Sequence, residues 1–361
     1  MRAARLSPSE LAALPATELV GAVLLAPLRL AERQLPKGAR LDAEQASAVH
    51  GAARSGALAQ PVRLAWPGPD DVHEDDAASR LAIALAGGGV ELRPPRQSRI
   101  DLVARWDGVL HVRVEPLRQL DAIDPLEVFT LYHGQAVEMG QVVCSVKVAP
   151  HLVPGAVLTE GIRIARTAGP LVEVRPYRAL EVGAIAVEAI GGRALERFET
   201  GARSKVEALG STFRGTIVVA EEDPERTRAA ARAALESLLV RDRVDVVLVG
   251  GVSAGDPLSP FYAALEQLGG SVLRRGVPAH PGSMLWLGRL GRGQLLGLPQ
   301  CGMFSLATAA DLVLPRLLTG EALTAESLAD LGHGGLLVKE MRFRFPRYAR
   351  ELASPDPNER A

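Results

Sequence analysis

VDVVLVGGVSAGDP at residues 244–257, HPGSMLWLGRL at 280–290 and QLLGLPQCGMFS at 294–305 are the stretches that decide the fold. Each apolar run has the length of a buried strand and is bounded by a turn rich in glycine or proline. Near-continuous apolar strands are buried on both faces, which is the habit of parallel sheets. A glycine-rich turn between such a strand and a helix exposes backbone N–H groups at the carboxyl end of the sheet. That is where α/β proteins bind ligands.

The same rhythm extends outward. Val182–Ile190 predicts a strand and residues 194–209 a helix. A strand at 215–222 precedes a helix at 223–240, with Asp223 as N-cap and Pro224 at the first helical position. The strand at 244–250 precedes a helix near 260–268, closed by Gly269-Gly270. Strands at 271–279, 283–290 and 294–299 follow, then a helix from Met303 to Leu318. Alternating strands and helices predict an α/β fold with a mostly parallel, doubly wound sheet and a hairpin inserted before its last strand.

Residues 1–89 read as a mixed α/β region. Ser7 and Glu10 have the spacing of a capping box. A turn at Pro36-Lys37-Gly38 leads to a helix at 42–56, a strand at 61–66 and a helix at 75–86 that Gly87–Gly89 stops. Residues 90–177 read as a β-rich domain. Its strongest signal is a hairpin turning at Asp107-Gly108, between DLVARW at 101–106 and VLHVRVEP at 109–116. A main α/β domain spans 178–320. Residues 321–350 form a short extension with a helix and an alternating strand, and 351–361 a disordered tail.

Bulk properties narrow the function. The chain has 361 residues, 47% of them apolar, and a formal net charge of −1. Nothing in that balance favours a nucleic acid or an acidic membrane surface as partner. Two cysteines, Cys144 and Cys301, make no disulfide framework and fit a reducing compartment. No apolar run reaches the length of a membrane span, and the N-terminus lacks a cleavage pattern. The expectation is a soluble cytoplasmic protein.

The candidate site residues cluster in the deciding stretch. Gly250, Gly251 and Gly255 let backbone approach a ligand closely, Ser253 supplies a hydroxyl, and Asp256 can hold Mg²⁺ or a ligand hydroxyl. The same spacing suits a tight turn in which Asp256 caps the next helix. Pro281, Gly282 and Ser283 form a second turn, and Pro299, Gln300 and Cys301 a third. Arg274-Arg275 can attract a phosphate or lie on a solvated sheet edge. The seven histidines show no zinc spacing.

Taken in order, Gly250–Asp256, Leu268-Gly269-Gly270, Pro281-Gly282-Ser283 and Gly297-Leu298-Pro299 before an apolar helix resemble the molybdopterin-binding domain of molybdopterin molybdotransferases and related proteins. The resemblance covers residues 180–320 and is thinner upstream, where Lys37–Leu41 is similar to the lead-in of the transferase N-terminal region. It implies a three-layer domain with a mostly parallel sheet and a homodimer. It also implies molybdopterin or molybdenum cofactor as ligand, with Mg²⁺ beside it. A molybdoenzyme or a cofactor nucleotidyltransferase would be the protein partner.

The departures bear on activity. The turn after Val182–Ile190 is Gly191-Gly192, without the Gly-Asp-Glu of the transferases, and their Ser-Ala-Met-Asp-Gly-type motif is absent. Pro299-Gln300-Cys301-Gly302 stands where the family has Pro-Gly-Asn-Pro. Transfer of molybdate to an adenylylated pterin needs carboxylates to hold Mg²⁺ and offset phosphate charge. A chain short of them is expected to bind the pterin for storage or delivery. The alternatives are an active molybdotransferase, with Asp256 catalytic, and a ligand-free interaction scaffold.

Overall fold

The computed structural model describes residues 1–31, 33–96, 98–187, 192–299, 303 and 307–350. The chain divides into two units. One comprises Met1–Arg105, His111–His133 and Met139–Val174; the other comprises Trp106–Leu110, Gly134–Glu138 and the chain from Arg175 onward.

The first unit is built on capped helices and antiparallel strands. Ser7 and Glu10 close the expected box at helix Pro8–Ala13, and Asp42 and Gln45 close another at helix Ala43–Arg54. Helix Glu74–Leu85 buries Ala77, Ala78, Leu81, Ala82 and Leu85 along one face. A four-stranded antiparallel sheet runs in the order Leu126–Thr130, Val142–Val148, Arg99–Ala104, Val90–Leu92.

Two expectations for residues 90–177 fail here. Helices occupy Val114–Asp121 and Gly155–Ala168, the second burying Leu158, Gly161 and Ala165 at helical spacing. The Asp107-Gly108 hairpin does not form either. Arg99–Ala104 pairs with Val142–Val148 and Val90–Leu92, whereas Gly108–Val112 pairs with Ala136–Val137. The alternation suggested a half-exposed ribbon, yet Gly108–Val112 is buried at every position.

The second unit carries the deciding stretch. Its strands are β1 (Glu181–Val187), β2 (Thr212–Val219), β3 (Val246–Gly250), β4 (Ser271–Arg275), β5 (Trp286–Leu290) and β6 (Gly293–Gly297). Its main helices are α1 (Arg193–Glu207), α2 (Pro224–Leu235), α3 (Pro260–Gln267) and α4 (Ala310–Leu318). The strand order is β2-β1-β3-β6-β5-β4. The first four strands are parallel; β5 runs antiparallel to β6, and β4 to β5. The molecule is thus an α/β protein with a mostly parallel six-stranded sheet, and the antiparallel pair expected before the last strand is β4–β5.

Successive side chains point to opposite faces of the sheet, and burial on both faces explains why β3 is apolar throughout and β1 from Val182 onward. Ala184, Ala186, Val246 and Leu248 face a core completed by Phe198, Ala202 and Val206 of α1 and Leu312, Val313 and Leu317 of α4. Ile185, Val187, Val247 and Val249 face the other core, with Ala231, Ala234 and Leu235 of α2 and Phe261 and Leu265 of α3. Each fully buried Val, Leu or Phe contributes about 1.5–3 kcal/mol. The result is helix, sheet, helix in three layers.

Asp223 caps α2 as expected, accepting from the N–H groups of Glu225 and Arg226, with Pro224 in the first turn. Two details differ from expectation. The helix after β6 is α4 at Ala310–Leu318, and residues 304–306 of the expected Met303 start lie outside the described residues. The expected alternating strand of the extension is a 3-10 turn at Lys339–Arg344, followed by helical Arg347–Arg350. No helix among the described residues is long and apolar enough to cross a membrane.

Candidate functional site at the carboxyl edge of the sheet

The register of the sheet brings the three turns together. Ala186 of β1 pairs with Gly250, Val249 with Gly297, Gly297 with Trp286, and Trp286 with Arg275. The ends of β3, β6 and β4 and the start of β5 therefore lie on one row. The chain leaves β1 to the β2 side and returns through α2 to β3 on the other side of β1. Strand order reverses there, and such a point opens a crevice at the carboxyl ends.

The glycine loop after β3 is held from beneath by two aromatic residues. Trp286 Nε1 donates to the Val252 carbonyl at 3.0 Å, and Tyr262 OH donates to the Ser253 carbonyl at 3.0 Å. Tyr262 and Trp286 meet edge to face with ring centroids 5.2 Å apart. Gly251 has φ +81°, which lets the chain turn without a Cβ clash. With these carbonyls drawn inward, Ser253, Gly255 and Asp256 are exposed. Ser253 Oγ accepts from the Gly255 N–H at 3.1 Å and keeps its own proton to donate. Asp256 Oδ1 accepts from the Leu258 N–H at 3.0 Å, so the carboxylate closes its own turn. It does not cap α3, whose N-cap is Ser259.

The second turn is tied to the start of α4. The Ala309 N–H donates to the Pro281 carbonyl at 2.9 Å. Gly282 has φ +101°, and a Cβ there would sit 2.8 Å from the Ala309 nitrogen. Ser283 is half-buried and accepts from the Val277 N–H through its carbonyl at 2.8 Å. At the third turn Pro299 is buried, with its carbonyl 3.2 Å from the Met303 N–H. Gln300 and Cys301 lie outside the described residues.

A buried polar cluster supports these turns, and the sequence reading missed it. Lys205 Nζ of α1 lies 2.8 Å from Asp311 Oδ1 of α4, with side chains 11% and 1% exposed. Tyr348 OH donates to the same oxygen at 3.0 Å, and the Thr308 N–H donates to Oδ2 at 2.9 Å. Burial pushes the Tyr348 phenol well above its ordinary range, and the Asp311 charge adds to the effect. Lys205 and Asp311 share a small pocket with Phe198, Leu298 and Met303. Asp311 sits in an apolar helical run, the one signal that could have marked it; nothing in the sequence paired it with Lys205.

No group of three or more His, Cys, Asp or Glu side chains suited to a metal occurs among the described residues. Asp256, with Oδ1 already engaged, does not make a cation cage by itself. Cys144 is buried in the first unit, and burial pushes its thiol up to about 12, which keeps it un-ionised near neutral pH.

No family and no curated protein matches the sequence. Solved structures with detectable likeness include the molybdopterin biosynthesis enzyme MoaB of Thermus thermophilus. It is 21% identical, covering 39% of this chain and 98% of that chain at a TM-score of 0.27. The molybdopterin biosynthesis protein MoeA of Pyrococcus horikoshii is 15% identical, covering 73% of this chain and 81% of that chain at a TM-score of 0.26. At these scores the superpositions carry no argument, and the fold rests on the sheet itself.

Proposed function

We propose that the protein binds molybdopterin or molybdenum cofactor at the carboxyl edge of the six-stranded sheet. The observation that carries this reading is the register. It aligns the ends of the strands that bear the Gly250–Asp256, Pro281–Ser283 and Pro299 turns on one row. In this reading the loop N–H groups and the Ser253 hydroxyl take ligand oxygens, Ser283 donates from the second turn, and Asp256 accepts from a pterin amine.

The reading stops at binding, for cofactor storage or delivery to a molybdoenzyme. Transfer chemistry would need a carboxylate free to hold Mg²⁺ beside the substrate phosphates, and Asp256 spends one oxygen on the Leu258 N–H. No step is assigned to a metal.

The test is an anaerobic calorimetric titration of the full chain with molybdopterin and with molybdenum cofactor. Saturable binding that weakens in Ser253→Ala and Asp256→Asn is the expected result. Heats of dilution alone with both ligands would overturn the reading. Turnover of adenylylated pterin with molybdate, lost in Asp256→Asn, would replace it with the transferase.

A further inference from the structure

The adjacent arginines of β4 have different surroundings. Arg274 is committed to structure: its Nε donates to the Gly276 carbonyl at 2.9 Å and its Nη1 to the Ala325 carbonyl at 2.6 Å. Arg275 is exposed, and no carboxylate among the described residues forms an ion pair with it. Its guanidinium carbon instead lies 4.0 Å from the centroid of the Tyr262 ring. A guanidinium carries five N–H donors, so beyond the contact and the side-chain hydrogen bond that anchor it to Tyr262, Arg275 keeps N–H groups to grip an oxyanion.

The position of Tyr262 gives this stack its meaning. Its hydroxyl holds the Ser253 carbonyl at 3.0 Å. Its phenol is pushed up to about 12 by burial first, with the Asp256 charge adding and Arg275 opposing. Tyr262 thus joins Arg275, which lies against its ring, to the Ser253 carbonyl, which its hydroxyl holds. In register, Arg275 is opposite Trp286, on the row where β3 and β6 end. An anion at the exposed loop faces one carboxylate, Asp256, and needs a fixed cation to offset it.

We infer that Arg275, oriented by Tyr262, is the residue that takes the phosphate of the ligand bound at the Gly250–Asp256 loop. This assignment rests on the binding reading above and gives it a charge-specific contact. Two features make it more than a solvated charge: the stacked platform, and the loss of Arg274 to backbone carbonyls, which leaves one arginine at this corner for the ligand.

The test compares the full-length wild type with Arg275→Met, Arg275→Lys and Ser253→Ala. Molybdopterin is titrated anaerobically at low and high salt, with inorganic phosphate as competitor. Arg275→Met is expected to weaken binding roughly ten- to hundredfold, as a lost charge-assisted contact does. It should also flatten the salt dependence and abolish competition by phosphate. The melting temperature of the unliganded protein should be unchanged, because Arg275 is exposed. Arg275→Lys should restore the salt dependence and part of the affinity, since an ammonium keeps the charge and loses the fork. If Arg275→Met binds as tightly as wild type while Ser253→Ala binds weakly, the assignment falls and the binding reading stands. If the wild type does not bind, both fall.

Discussion

A carboxylate withdrawn almost entirely from water must be neutralised, and Asp311, at 0% exposure, is met by Lys205, Tyr348 and the Thr308 N–H. Removing one partner of a buried pair costs far more than the pair contributes, because the remaining charge is stranded. Asp311→Asn is therefore expected to destabilise the protein by about 3–5 kcal/mol, read as a lower urea midpoint. A loss below about 1 kcal/mol would mean that water reaches the pair and screens it. This residue also shows where sequence reading ends. Ser253 and Asp256 were legible because a glycine-rich turn after an apolar strand has a direct chemical meaning. Lys205 and Asp311 lie on α1 and α4, and only the packing of both helices on one face of the sheet joins them.

At the level of elements, β1 and β3 were legible because two-sided burial writes itself as nearly unbroken apolar runs, and β5 and β6 because apolar runs interrupted only by Arg289 and Gln294 end in glycine or proline turns. The helix caps at Ser7 and Asp223 were legible because they satisfy local backbone N–H groups. The hairpin at Asp107-Gly108 failed because alternation names a strand without naming its partner. Helix Gly155–Ala168 was missed because its buried stripe is short and includes Gly161. The coupling between the second turn and α4 is open to test through two glycines. In Gly282→Ala the new Cβ would meet the Ala309 backbone nitrogen at 2.8 Å, at a φ of +101°. A non-glycine residue held there costs about 1–3 kcal/mol in strain alone. In Gly250→Ala the nearest atom, at 2.7 Å, is the terminal carbon of Met303, a flexible side chain that can yield. Gly282→Ala should have the lower melting temperature of the two. The reverse order would show that the Pro281–Gly282 turn moves freely and is not braced by Ala309.

Over the whole molecule, each unit holds groups that burial keeps protonated, so the protein as a whole should be sensitive to alkali. In the first unit the Cys144 thiol is raised from 9.0 to about 12. In the second the Tyr262 phenol is raised from 10.0 to about 12, and the Tyr177 and Tyr348 phenols are also raised, chiefly by burial. Between its unfolded and folded pKa each group is ionised in the unfolded chain and neutral in the native one. The native state then binds more protons, and stability falls as pH rises. The contribution of these groups is fully present below about pH 9, begins to fall as the unfolded thiol ionises, and falls more steeply once the unfolded phenols do so above about pH 10. Urea midpoints measured from pH 7 to pH 12 should stay level to about pH 9 and then drop. Phenolate absorbance should rise together with unfolding and lag behind that of a free tyrosine. Cys144→Ala should delay the onset of the drop towards pH 10 without removing it. A midpoint that stays level through pH 11 would mean that these phenols ionise in the native state, and that the packing around Tyr177, Tyr262 and Tyr348 admits water.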